Sequence, residues 1–252
     1  MSFAVIEDPA FYAVAVPAVL LMGLAKSGFG AGFGALATPL MALAIPVPQA
    51  AAIMLPLLAV MDAFGLAALW READRGLLRL LLPAGLLGTA LWTASFGLFS
   101  APTVAGIVGA LTLLFLAQRV FFPPRPDAPP PPRWVGVLMG TAAGYTSFVA
   151  HAGGPPVIAY VLPLRLAPMA LTGTMAVFFA AINASKWLPY AWLGLIDPRN
   201  LATSLVLMPL APVGVLIGVR LARRIRPELF YRLLAAGMLA TGIKLLWDGL
   251  RG

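Results

Sequence analysis

The chain has 252 residues, of which 61% are hydrophobic and only 10% charged, and its mean hydropathy is +0.94. A soluble domain carries about 25% charge, so this composition excludes a water-facing globular fold and predicts an integral membrane protein, with several uncharged windows near helical spanning length. The net charge of +8 comes from arginines clustered between apolar runs, the positive-inside pattern of a membrane protein rather than a nucleic-acid surface, and the absence of cysteine excludes disulfides and thiol chemistry.

The first apolar run, Phe11 to Met22, has the length of a secretory signal. It is preceded by Glu7 and Asp8 instead of a basic region, and no A-x-A site follows. It is therefore expected to belong to the mature membrane domain. Further apolar segments follow, giving the series 10–45, 50–70, 77–98, 102–118, 134–163, 168–190, 200–220 and 228–247. Two of them are interrupted by small and polar residues: KSGFGAGFGALATP (26–39) and YTSFVAHAGGPP (145–156). Between the fourth and fifth lies FFPPRPDAPPPPRW, a proline-rich stretch that cannot continue a helix. It divides the chain into a first membrane repeat (1–120), a cytoplasmic linker (121–134) and a second membrane repeat (135–252).

The two halves match in order, which predicts an internal duplication. Each opens with an interrupted segment. VMDAFG (60–65) then lies opposite AINASK (181–186), setting Asp62 against Asn183. Pro83-Ala84-Gly85 matches Pro212-Val213-Gly214, and the last segments open at Pro102 and Pro227, each placed for a first helical turn.

Arginine clusters orient the segments. Arg71, Arg75 and Arg79, then Arg119, Arg125 and Arg133, then Arg220, Arg223, Arg224 and Arg226 mark three cytoplasmic connections. The uncharged connection at 98–102 faces outward. An even number of crossings must separate the linker from Arg220, yet three segments intervene. The simplest resolution is that 134–163 enters and returns to the inner side, where Arg165 follows it. If 10–45 does the same from outside, the halves have opposite orientation. The predicted fold class is all-α and integral to the membrane: two inverted-topology repeats, each a broken or re-entrant element followed by three transmembrane helices.

Non-helical backbone at membrane depth must line protein or a wet cavity. The second half of a broken helix presents a partly positive N-terminus toward the break, an anion site where glycine leaves the N–H groups accessible. Candidate substrate-binding residues are therefore Lys26, Ser27, Gly28, Gly30 and Gly32 in the first break, and His151, Gly153, Gly154 and Pro155 in the second, where Pro155 or Pro156 suits the start of a new half-helix. Gly28/Gly32 and Gly30/Gly34 also have the spacing that simply lets helices pack closely. Gly30 to Ala35 fits a lax dinucleotide pattern, but no βαβ context surrounds it. Lys26 either meets a ligand or snorkels to an interface. His151, the only histidine, either carries a proton or faces a cavity as a plain polar group. Asp62 and Lys186 sit within apolar spans, where ionisable residues mark a pathway or a pair. Asp62 is a candidate proton-coupling carboxylate or the partner of a lysine from the other half; Asn183 holds substrate or hydrogen-bonds across helices. Trp70, Trp92, Trp134, Trp187, Trp192 and Trp247 fall near segment ends, as interface anchors do.

GLAKSGFGAGFGALATPL (23–40) followed half a chain later by GYTSFVAHAGGPPV (144–157) resembles the TauE/SafE sulfite exporter family of bacterial permeases. The likeness covers nearly the whole chain, including its two halves and basic central connection. The chain departs from the family pattern at Ser27, often a second glycine, and at His151, a slot often small or polar. The resemblance implies a multi-pass protein of the bacterial inner membrane that exports a small sulfur-containing anion such as sulfite or an organosulfonate.

The expected function is thus a secondary transporter, with an anion channel or a carrier of a small carboxylate as the rival readings. A membrane enzyme would need clustered acids and histidines. No catalytic residue, metal site, cofactor or nucleic-acid partner is expected. The expected partners are the small anionic substrate, the lipid bilayer and a second copy of the chain in a homo-oligomer.

Overall fold

A computed structural model describes residues 5–26, 34–123, 129–222 and 227–251. Every regular element among them is helical, and local chemistry explains most of the helix starts. Helix α1 (Pro9–Leu24) is capped by Asp8, whose carboxylate accepts from the Ala10 N–H at 2.9 Å. Helix α2 (Gly34–Met41) is a half-length helix, and α3 (Val47–Leu69) opens with proline in its first turn. Asp74 caps α4 (Arg75–Ser95) by accepting from Leu77 N–H at 2.9 Å, and Ser100 caps α5 (Ala101–Phe121). Such caps each contribute about 1 kcal/mol by satisfying an orphan donor.

Helix α6 (Arg133–Ala150) stops at His151, which adopts a left-handed conformation (φ 52°). Three residues later α7 (Gly154–Val161) begins with Pro155 and Pro156 in its first turn, where a missing N–H costs nothing. Helix α8 (Pro168–Trp192) follows. Asp197 then caps α9 (Pro198–Leu207), α10 (Leu210–Ala222) continues it, and α11 (Pro227–Arg251) closes the fold.

Four of these helices are long and apolar enough to cross a membrane: α3 with the turn after it, α4, α5 and α8. A fifth span results if α9 and α10 are taken together, although they are bent by 43°. This bend departs from the single unbroken segment expected over 200–220. Its cause is the pair Pro209 and Pro212. Neither supplies an N–H to the helical ladder, so the turn tightens to i→i+3 bonds, Met208 N to Leu205 O (3.2 Å) and Ala211 N to Met208 O (3.0 Å).

The halves interlock instead of folding side by side. Helix α4 of the first half packs on α6 of the second, and α10 of the second packs on α1 of the first. Both contacts depend on glycine. A methyl group at Gly144 would stand 1.9 Å from the Gly85 carbonyl oxygen, and one at Gly23 would stand 2.7 Å from the backbone of Gly214. Gly23 matches Gly144 in the repeat, and Gly85 matches Gly214, so one close crossing occurs twice. Helix α3 packs against its counterpart α8, and α5 against α11. Both pairs run antiparallel: Asp62 meets Asn183 while Leu69 approaches Gly173, and Gly106 meets Gly249 while Gly109 approaches Gly242.

The core follows this exchange. One apolar cluster joins α1, α2, α3 and the α9–α10 region, a second joins α4, α6, α7 and α8, and a third between them includes Leu55, Trp92, Phe148, Tyr190 and Met238. Trp92 is the exception to the tryptophan pattern. The other five are at least partly exposed, but Trp92 is fully buried, stacked on Phe99 (5.5 Å between centroids) and edge-on to Tyr145 (4.8 Å). It lies a turn short of the end of α4, on the face that meets α6, so packing captures it.

Candidate functional site

The end of α1, the α6–α7 break and the α3–α8 crossing meet in one polar cluster inside a largely apolar core. Lys26, at the C-terminal end of α1, forms an ion pair with Asp62 from the middle of α3. The second carboxylate oxygen of Asp62 accepts from the Asn183 side-chain amide of α8 at 2.6 Å. The carbonyl oxygen of that amide accepts from the Lys186 ammonium at 2.8 Å. The same ammonium reaches the Ser147 carbonyl (2.7 Å), the Ser147 hydroxyl (2.8 Å) and Nδ1 of His151 (2.9 Å). An ammonium carries three hydrogens, so these acceptors share them.

Position along the helices explains why the groups meet. Asn183 and Lys186 are one turn apart and lie on the same face of α8. Ser147 lies one turn before the end of α6, where its carbonyl accepts the His151 N–H at 2.9 Å and has a second lone pair for Lys186. His151 is held at the break from both sides. Its Nε2 lies 2.9 Å from the Ala51 carbonyl oxygen of α3, which only accepts, so Nε2 carries the hydrogen and Nδ1 accepts from Lys186. These bonds hold a non-glycine residue in the left-handed region, where it is uncommon.

The charge balance is uneven. Lys186 is completely buried, and all its hydrogen-bond partners are neutral. Asp62 is the only carboxylate in the cluster and is already engaged by Lys26. A buried charge is costly unless an opposite charge compensates it.

Beside the cluster lies a cavity of about 300 Å³. Lys26, Asp62, Ser147, His151, Gly154 and Asn183 contribute to one part of its wall. Its other walls are mainly apolar, with Met22, Leu58, Met61, Met175 and Phe179 among them, and Arg119 and Thr172 also line it. Lys26 lies 5.4 Å from the centroid of the Phe179 ring. The α3 residues on its wall run from Leu58 to Leu69, and the α8 residues from Leu171 to Asn183. These are the helix ends next to Arg71 and Arg165. A larger and more open depression of about 520 Å³, between the 42–47 loop and the ends of α5 and α11, contains none of the cluster.

Of the residues singled out from sequence, Lys26, Asp62, His151, Asn183 and Lys186 come together here. Gly154 lines the cavity, and Pro155 starts α7. Gly153 packs the break against α6, where a methyl group would stand 2.5 Å from the Ala143 carbonyl. Ser27, Gly28, Gly30 and Gly32 lie outside the described residues. Sequence reasoning missed Ser147, although the repeat contained the signal: the alignment that sets Asp62 against Asn183 also sets Lys26 against Ser147. It also missed Arg119 and Phe179, which carried no local motif.

No match was found among curated proteins or among solved structures. The model of the family described as sulfite exporter TauE/SafE matches residues 15–245, so the chain belongs to that family of transporters.

Proposed function

We propose that the chain is a secondary transporter of the bacterial inner membrane that exports a small sulfur-containing anion, sulfite or an organosulfonate. The anion binds at the polar cluster between the two helix breaks. The observation that carries this reading is Lys186, a fully buried ammonium with only neutral partners. An anion in the cavity supplies the missing opposite charge from across Ser147, His151 and Asn183, which stand between it and Lys186, and Lys26 supplies the charged contact once Asp62 releases it. Protonation of Asp62 is the step that releases it, which couples anion binding to a proton.

An inverted-repeat arrangement accompanies the proposal. Its support is the antiparallel pairing of α3 with α8 and of α5 with α11. Equivalent helices pair antiparallel when the halves are related by an axis in the membrane plane, and parallel when the axis lies along the membrane normal. The duplicated glycine crossing of α4 with α6 and of α10 with α1 points the same way. The cavity extends toward the arginine-flanked ends of α3 and α8, which favours access from the cytoplasm, the loading side of an exporter.

Sulfite counterflow in proteoliposomes tests the function, and Lys26→Ala tests the site. Losing a charge-assisted contact of about 1.5–3 kcal/mol should weaken anion binding roughly ten- to a hundredfold. Unchanged affinity in this variant would remove Lys26 from the site, and linear, non-saturating flux without counterflow would make the protein a channel.

A further inference from the structure

The cavity is larger and more apolar than an inorganic oxyanion requires. Liquid water occupies about 30 Å³ per molecule, so the 300 Å³ cavity has room for roughly ten waters. Sulfite would fill only the polar corner. The remaining space is bounded mainly by Met22, Leu58, Met61, Ile158, Met175 and Phe179, with Arg119 and Thr172 the polar groups on that wall. Three of these are methionines, whose unbranched, polarizable side chains adapt to variable apolar shapes. The apolar part of this wall gains from an apolar ligand surface in place of water. Charged and apolar regions adjoin directly at Lys26, whose ammonium lies 5.4 Å from the Phe179 centroid. On the facing helices, Gly65 and Ala176 are small: a methyl group at Gly65 would meet the Ala176 methyl at 3.7 Å. Bulkier residues at these two wall positions would fill the chamber.

We propose that the site takes an organic anion with one charged head and a short unbranched apolar body, an alkanesulfonate in preference to free sulfite. The head lies among Lys26, Ser147, His151 and Asn183, and the body lies along the methionine- and phenylalanine-lined wall. The proposal rests on the anion-transport reading above and specifies its substrate.

The test is isothermal titration of the purified full chain with sulfite and with straight-chain sulfonates from methane- to octanesulfonate, each below its micellar concentration. The primary alcohols of equal chain length serve as uncharged controls. Each methylene buried on the apolar wall is worth about 0.8 kcal/mol, so affinity should rise about fourfold per carbon, then level off when the chamber is full. The alcohols should bind far more weakly. Ala176→Leu, which narrows the chamber, should bring the levelling point to a shorter chain.

Sulfite and methanesulfonate binding with a flat series would overturn the proposal and make the cavity a water-filled vestibule, leaving anion transport intact. Equal binding of alcohols and sulfonates would overturn it as mere partitioning. A rising series whose levelling point ignores Ala176→Leu would place the body elsewhere and overturn the assignment. If neither sulfite nor any sulfonate binds, the anion-transport reading itself fails.

Discussion

Asp62→Asn separates the two roles of the central carboxylate. The substitution is nearly isosteric but removes the only negative charge in a cluster with two lysines. The stability cost follows from burial. Breaking an exposed ion pair costs about 0–1 kcal/mol, and orphaning one member of a fully buried pair about 3–5 kcal/mol. Asp62 is only 7% exposed, but Lys26 is 19% exposed and lines the cavity, so its ammonium retains hydration when its partner is lost. The expected loss is therefore intermediate, about 2 kcal/mol. At about 2–4 °C per kcal/mol for a chain of this size, the melting temperature should fall by roughly 4–8 °C.

Anion binding should move in the opposite direction. In the native protein the anion competes with Asp62 for Lys26; with asparagine there the lysine is free. Affinity should rise roughly tenfold or more, the scale of one charge-assisted hydrogen bond. If binding the anion requires a proton on Asp62, wild-type affinity rises as pH falls, because lower pH supplies the proton that binding consumes. Asp62→Asn should make that dependence flat. Methanesulfonate is the suitable probe, because its own charge is constant over the range. In proteoliposomes the variant should retain counterflow, which moves no net proton, and lose accumulation driven by a pH gradient. A variant that binds the anion more weakly, or that keeps both its pH dependence and its proton-driven accumulation, would refute the proposed role of Asp62.

Two further outcomes test the architecture. Gly144→Ala places a methyl group 1.9 Å from the Gly85 carbonyl oxygen, and neither backbone can yield without separating α4 from α6. A melting-temperature loss corresponding to at least about 1–3 kcal/mol of overpacking is expected, and an unchanged melting temperature would show that the crossing is looser than described. The chain has no cysteine, so single cysteines report topology cleanly. Thr172→Cys, on the cavity wall, should label from the cytoplasm, while Ser2→Cys and Gly252→Cys should label from the periplasm; cytoplasmic-only labelling of the last two would contradict the inverted arrangement.

Much of the membrane class and helix placement was legible in the sequence, because lipid imposes requirements that local composition reveals. A bilayer cannot hydrogen-bond free backbone, so long apolar runs had to be helical, and a run containing AHAGGPP had to break where it does, at His151, with prolines opening the next half-helix. The rarity of charge in apolar spans also drew attention to Lys26, Asp62 and Lys186 without any knowledge of their neighbours. The tertiary structure alone determined which groups face one another. Asp62 and Lys26 are 36 residues apart and Ser147 and Lys186 are 39 apart, distances over which periodicity carries no information. Burial of Trp92 depended on which face of α4 receives α6, and the interlocking of the halves depended on glycines whose partners lie on other helices. A segment's helical period and its breaks arise within a few turns of chain, whereas the charge balance around Lys186 exists only where three helices and a break converge.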